Sequence, residues 1–336
     1  MEYLYFTLNQ QPIVYVTRDI DRALGLPPNT AGYGIIANAT AFAKRLSNDR
    51  HDIQLIGERD ELDTWQLLEH HQTARKIKSS SANMPSIMVF KNNKKIESIC
   101  EKNNWRLLNP PAKLAEKIEE KITQLSFLSE LKDLFPHYEV RTLEDVDHPA
   151  PFVLQFNHSH TGEGTILVEN EDHLTALKKQ FPKRVVRTTS FLYGPILTNN
   201  NVVHASGVLV GNISYQITGQ SPFTDNPFAT VGNDWGFARK LLSARQVEEY
   251  KNIATRVGEI LRAKGWRGLF GIDVILEEES GRLFLIEINA RQPQSATFES
   301  QLQQRQAPSA ITIFEAHLAA LLGLELSQMS LIEIQS

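Results

Sequence analysis

The sequence predicts a protein of mixed α/β and α+β class, folded as two or three domains. Three observations carry this. The first hundred residues alternate short β-rich runs with helical stretches, the pattern of parallel βαβ units. The chain then breaks at Asn109-Pro110-Pro111, because the first of two prolines bars a preceding helix and neither can donate to a ladder. Beyond the break the character changes to paired strands and long polar loops. A length of 336 residues, at roughly 150 per domain, fits two domains or three small ones.

In chain order, Ile13 to Val16 reads as a strand, Ile35 to Leu46 as a helix and Ile53 to Gly57 as a strand. Glu61 to His70 reads as a helix, Ile87 to Phe90 as a strand, Asn92 to Asn103 as a helix and Trp105 to Leu108 as a strand. After the prolines a single charged helix is expected over Lys113 to Leu134, stopped near Pro136. Phe152 to Phe156 and Ile166 to Val168 read as strands flanking a polar loop that carries Gly162 and Gly164. Glu171 to Phe181 is a helix and Arg184 to Tyr193 a strand, ending at Gly194-Pro195. The run from Val202 to Ile217 has antiparallel character, with a turn near Gly211-Asn212. Thr218 to Trp235 reads as a long loop, and such loops inside a domain are usually functional. Ser243-Ala-Arg-Gln246 has capping-box form, in which serine and glutamine side chains satisfy free backbone donors reciprocally. That helix runs to about Lys264, with Gly265 suited to the left-handed position past its end. Strands over Leu269–Glu277 and Leu283–Asn289 follow, then an apolar helix over Ser309–Leu322.

Composition narrows the function classes. The chain has 35 basic and 39 acidic residues, a net charge of −4, which disfavours a nucleic-acid or membrane binder that works by bulk electrostatics. No 18 apolar residues run together, so no spanning helix is expected. The start, MEYLYFTLNQQP, lacks the basic and apolar regions of a signal peptide, and a single cysteine, Cys100, fits a reducing cytoplasm.

Chemistry concentrates near the C-terminus, in Gly268-Leu-Phe-Gly-Ile-Asp273 and Leu283-Phe-Leu-Ile-Glu287-Ile-Asn289-Ala-Arg291. Alternation places Leu283, Leu285, Glu287 and Asn289 on one strand face. A three-residue turn over Glu279-Ser280-Gly281 would pair Glu278 with Arg282, and hence Asp273 with Glu287. A four-residue turn would put Asp273 on the opposite face. Two carboxylates and an amide oxygen together form the hard-oxygen set Mg²⁺ uses when phosphate and water supply the rest. The plain alternative is a Glu287–Arg291 ion pair at a strand end.

These residues resemble the C-terminal signature of ATP-grasp enzymes, and the order of parts agrees over most of the chain. The resemblance implies a Rossmann-like domain over 1–110, a lid subdomain with the glycine-rich loop over 111–197, and a metal-bearing subdomain over 198–336. It implies ATP and Mg²⁺, with Mn²⁺ as a substitute, held between two α+β subdomains. Glu287 and Asn289 become metal ligands with Asp273 beside them, and Arg291 stabilises phosphate and the reaction intermediate. The loop from His158 to Thr165, with Gly162 and Gly164, corresponds to the family's phosphate lid. Lys121 matches one phosphate-contacting lysine, but the strand position that normally carries the other is Gln155. The hinge that normally offers a glutamate reads Thr188-Thr189-Ser190-Phe191-Leu192, leaving Thr189, Phe191 and Leu192 to contact adenine.

The implied activity is ATP-dependent activation of a small carboxylate as an acyl phosphate, attacked by an amine or another nucleophile. The substrates are small molecules, with no nucleic acid or membrane partner, and a homodimer is left open. A nucleotide sensor or partner-binding protein with a degenerate site, and a phosphotransferase on the same scaffold, stand as alternatives. Retention of Asp273, Glu287, Asn289 and Arg291 together argues against lost turnover. Asn29-Thr-Ala-Gly32-Tyr-Gly34, read as opening a helix, offers backbone donors to an anion, though an ordinary helix entry explains it equally. It lacks the third glycine of a dinucleotide fingerprint. Gln216 to Trp235 is a candidate lining for the acceptor pocket, and no zinc-type spacing or nucleophile elbow is present.

Overall fold

A computed structural model of the chain describes residues 2–80, 84–157 and 164–335. Its first part comprises α1 (Glu2–Gln10), β1 (Ile13–Val16), β2 (Tyr33–Asn38), α2 (Ala41–Leu46), β3 (Ile53–Ile56), α3 (Thr64–Glu69), α4 (His71–Ser80), β4 (Ser86–Val89), α5 (Lys94–Lys102) and β5 (Arg106–Leu107). The five strands form a parallel sheet in the order β3-β2-β1-β4-β5. β1 and β4 are buried along their whole length, as apolar runs covered on both faces require.

The helix expected over Ile35–Leu46 is instead a strand followed by a helix. Tyr33–Asn38 is a doubly buried run, which hydrophobic periodicity cannot separate from a buried helix. The separating signal is Thr40, whose side chain accepts a hydrogen bond from Ala43 N and starts α2. Asn29–Gly34 therefore leads into β2, and no helix start lies there to offer donors to an anion. Gly32 turns the chain at φ +77°, where a Cβ would lie 2.0 Å from the Leu8 carbonyl oxygen.

The expected helix over Lys113–Leu134 is broken into α6 (Ala112–Glu119), α7 (Thr123–Phe127) and a 3₁₀ turn (Ser129–Leu134). A residue far along the chain holds the break open. Asn157 Oδ1 accepts from Ile122 N at 2.8 Å and from Thr123 N at 3.3 Å, acting as a cap supplied from another element. Gln124 Nε2 donates to Ile118 O at 2.7 Å and satisfies one carbonyl at the end of α6.

The next unit contains β6 (Tyr138–Thr142), β7 (Phe152–Phe156), β8 (Thr165–Val168), α8 (Glu171–Gln180) and β9 (Val185–Ser190), with the antiparallel order β6-β9-β7-β8. Phe152, Leu154 and Phe156 pack with Val186 and with Leu174 and Leu177 of α8. Gln155 and Arg187 consequently project from the opposite face. β6 lies in a segment for which the sequence pattern predicted no element.

The last part contains β10 (Ile196–His204), β11 (Gly207–Val210), β12 (Ser214–Thr218), β13 (Thr230–Asp234), α9 (Trp235–Leu241), α10 (Ala244–Ala263), β14 (Gly268–Leu276), β15 (Leu283–Asn289), α11 (Ala296–Gln306) and α12 (Ile313–Leu321). The sheet runs β13-β12-β10-β14-β15, with β11 paired to β10. β13 therefore occupies part of the stretch expected to be loop. The capping box of α10 forms as expected between Ser243 and Gln246. α12 is buried on every side. Its Phe314 stacks near Tyr15 and meets Tyr33 edge-on, so one core joins the parallel sheet to the C-terminal elements. Among the described residues no helix is long and apolar enough to cross a membrane.

A buried polar cluster pins α11 to the sheet. Glu299 accepts from Asn200 Nδ2 at 2.6 Å and from Asn212 N at 2.8 Å and Asn212 Nδ2 at 3.1 Å. Burial outweighs these donors and pushes its carboxyl up to about 7. A folded-state value above the ordinary 4.5 stabilises the fold at low pH, and that contribution is lost as pH rises through about 7. Glu299→Gln should therefore flatten the decline of stability across this window, by on the order of 2–3 kcal/mol. Urea midpoints of both proteins measured as a function of pH check this, and parallel profiles would exclude it.

Candidate active site

The site is built on the β14–β15 hairpin, whose geometry departs from the simplest reading in two places. The turn has four residues: Glu277 N donates to Arg282 O at 2.9 Å, and Gly281 N to Glu277 O at 2.8 Å, with Gly281 at φ +67°. This ladder pairs Leu276 with Leu283 and Val274 with Leu285. A β-bulge then leaves Ile286 as the extra residue, and Asp273 comes to face Glu287 after all. The expected pair forms, but not on the expected face. Leu283, Leu285 and Ile288 join Phe270, Ile272 and Val274 in the core under α10. Glu287, Asn289 and Asp273 project the other way, which removes the cost of burying a carboxylate among those leucines.

Asp273 is nearly buried and accepts from Gln216 Nε2 of β12 at 3.1 Å and from Asn289 Nδ2 at 3.4 Å. Lys121 stands in the break between α6 and α7, buried rather than on a solvated helix face, with Nζ 2.7 Å from Glu287 Oε1. Burial, then the Glu287 charge, push the Asp273 carboxyl up to about 6, against hydrogen bonds from Thr198 and Gln216 and the attraction of Lys121. Burial acts on Glu287 in the same sense, but Lys121, with Arg291 and Lys91, outweighs it and holds that carboxyl below its ordinary value.

The simple Glu287–Arg291 ion pair is not what forms. Arg291 Nη1 donates to Glu119 Oε1 at the end of α6, and Lys91 pairs with the second oxygen of the same carboxylate. Burial would lower the Arg291 guanidinium, but Glu119 first and Glu287 second hold it above its ordinary value. Glu119 and Lys91 have no motif to mark them, and only the fold brings them to the hairpin.

The remaining predicted residues lie on the four-stranded unit. Gln155 sits in β7, its Nε2 3.3 Å from Thr165 Oγ1. Thr189 is buried in β9, and Phe191 and Leu192 follow on the link to β10. Gly164 accepts through its carbonyl from Phe156 N at 2.9 Å, closing the base of the β7–β8 loop. Gly162, His158 and His160 lie outside the described residues. A cavity of about 490 Å³ lined by Trp235, Leu242, Lys251 and Ile332 contains none of these groups.

No protein-family model and no curated protein matches the chain. Solved structures do. N5-carboxyaminoimidazole synthase from Aspergillus clavatus, in complex with ADP and 5-aminoimidazole ribonucleotide, superposes with a TM-score of 0.60 at 16% identity, covering 98% of this chain and 80% of that one. L-amino acid ligase from Bacillus licheniformis gives 0.59 at 16% identity, covering 95% and 76%. The biotin carboxylase domain of Hydrogenobacter thermophilus 2-oxoglutarate carboxylase, with MgADP, ADP and bicarbonate, gives 0.64 at 15% identity, covering 95% and 71%. The chain has the ATP-grasp fold. Within this ATP-grasp fold the β14–β15 hairpin, the α6–α7 break and the end of β7 meet through Lys121 and Asn157, which ties the acidic pair to the four-stranded unit.

Proposed function

We propose that the protein is an ATP-dependent ligase that activates a small carboxylate as an acyl phosphate and transfers the acyl group to an amine or a similar nucleophile. The observation that carries this reading is the Asp273–Glu287 cross-strand pair, with Lys121 and Arg291 beside it, on an ATP-grasp fold. The fold neighbours include an L-amino acid ligase and a carboxyaminoimidazole synthase with bound ADP, both consistent with it. We assign residues 1–110, 111–197 and 198–336 to the Rossmann-like, lid and metal-bearing units, and place the protein in the cytoplasm.

The residues present fit a divalent cation. Asp273 and Glu287 are opposed on one face, with Asn289 adjacent on Glu287's strand, and the like charge that raises the Asp273 carboxyl is relieved by a cation between them. Among the described residues no group of three or more His, Cys, Asp or Glu is placed to hold a metal. Two carboxylates and an amide therefore need phosphate oxygens to complete a shell, which suits a nucleotide-borne Mg²⁺. Bound there, Mg²⁺ supplies charge neutralisation on the transferring phosphoryl group.

In this reading a carboxylate oxygen of the substrate attacks the γ-phosphorus, the bond to the bridging oxygen breaks, and ADP leaves. The nucleophile's nitrogen then attacks the acyl carbon, and inorganic phosphate departs as the proton passes to solvent. Arg291, held by Glu119, neutralises negative charge on the phosphoryl oxygens, and Lys121 attracts the same polyphosphate.

The test is MgATP-dependent thermal stabilisation followed by ADP release in the presence of pooled amino acids and small carboxylates. Stabilisation together with substrate-dependent ADP release is the expected result. Stabilisation without release from any pool favours a nucleotide sensor, and no stabilisation at all removes the reading.

A further inference from the structure

Among the described residues, Arg187 is a fully buried cation that lacks the partners such a group needs. Arg187, on β9, is 1% exposed, and among the described residues its Nε and Nη1 have no hydrogen-bond partner. Its guanidinium lies 5.2 Å from the Phe135 ring and 5.5 Å from the Tyr138 ring. Two ring faces attract a cation but offer its N–H groups no acceptor. Burial pulls the group down to about 10, which leaves it charged at neutral pH. A buried guanidinium with open donors is among the costliest arrangements a fold can hold, and it implies an anion that completes it.

The position says which anion. In the sheet register Thr165, Gln155, Arg187 and Val140 form one row across β8, β7, β9 and β6. Directly opposed residues share a face, and here it is the face away from the Leu154–Leu174 core. Gln155 is uncharged, and its amide nitrogen is already directed at Thr165 Oγ1. Two residues beyond Gln155, Asn157 caps the turn that carries Lys121. A two-residue advance along a strand is about 7 Å. The row of Arg187 therefore lies two residues along the sheet from the side chain that caps the Lys121 turn, on the side of the lid sheet opposite its core.

We propose that Arg187 is the cation that binds the polyphosphate of the nucleotide on the lid side, supplying across the strand the charge that Gln155 lacks. The inference rests on the ligase reading for the identity of the nucleotide, and only on geometry for the anion. A planar fork with open N–H donors matches phosphate oxygens in bidentate fashion.

The test uses the full chain, with calorimetric binding of MgATP, inorganic pyrophosphate and adenosine to wild type, Arg187→Met and Arg187→Lys. Arg187→Met is expected to weaken MgATP and pyrophosphate on the order of tenfold to a hundredfold. Adenosine binding should be unchanged, and Arg187→Lys should fall between. Removing an unpaired buried charge should leave the nucleotide-free melting temperature equal or higher, which separates lost binding from lost folding. Gln155→Lys placed in the Arg187→Met background should restore MgATP affinity, because the two side chains occupy one cross-strand pair. Unchanged affinities in Arg187→Met overturn the proposal and leave the ligase reading intact. A wild type that binds pyrophosphate but not MgATP, with loss in Arg187→Met, keeps the anion site and removes the ligase reading. Binding of neither ligand by the wild type overturns both.

Discussion

Glu287→Gln is expected to lower MgATP-dependent turnover on the order of a hundredfold to a thousandfold, the range for removing one charge-stabilising group from a phosphoryl- or acyl-transfer centre. Glutamine keeps the length and one acceptor oxygen for Lys121, so the loss reads charge rather than shape. The Asp273 carboxyl, raised partly by the Glu287 charge, should fall back toward its ordinary range, leaving a single carboxylate to hold the cation. The Mg²⁺ concentration for half-maximal ADP release should then rise. An ADP-coupled assay over a Mg²⁺ titration reads both quantities. Turnover retained within about tenfold of wild type would show that Glu287 holds no metal.

Lys121→Met is expected to destabilise the metal-free protein by about 2 kcal/mol, a value between the limits for buried and surface pairs because Glu287 keeps 40% of its side chain exposed. The ammonium is the nearest compensation for the opposed carboxylates, and without it Asp273 and Glu287 repel at close range. Millimolar Mg²⁺ should recover more stability in the variant than in the wild type, because a ligand of the native state stabilises it in proportion to its affinity. Urea unfolding with and without Mg²⁺ measures the difference. Equal midpoints for variant and wild type without metal would show that Lys121 does not neutralise the pair.

Much of this architecture is legible from local chemistry. Asn109-Pro110-Pro111 marks the end of the parallel unit, and Ser243 and Gln246 form their capping box where the spacing puts it. The acidic pair was legible too, though through two compensating departures. The turn holds four residues instead of three, and Ile286 bulges out. Alternation alone cannot register a bulge and places Glu287 on the face of Leu283 and Leu285, whereas in the fold Leu283, Leu285 and Ile288 share the core face and break the period of two. β2 reads as helix in the sequence because a run buried on both faces has no periodicity to distinguish strand from helix. The α6–α7 break cannot be read locally, since Asn157 supplies its cap from just past the end of β7, more than thirty residues away. Glu119 and Lys91 stay hidden for the same reason: each looks like an ordinary surface charge until tertiary structure places it beside Arg291.

The extra residue at Ile286 also divides β15 into two segments of independent phase. The outer segment takes its alignment from an exposed, acidic tip at Glu278–Ser280, while the inner one takes it from the bulge and from Ile288 in the core. A tip that lengthens, shortens or loosens has its effect spent on the outer segment. The opposition of Asp273 and Glu287 is thereby insulated from the part of the hairpin most open to change, and tip insertions such as an epitope or a tether should be accommodated without disturbing it.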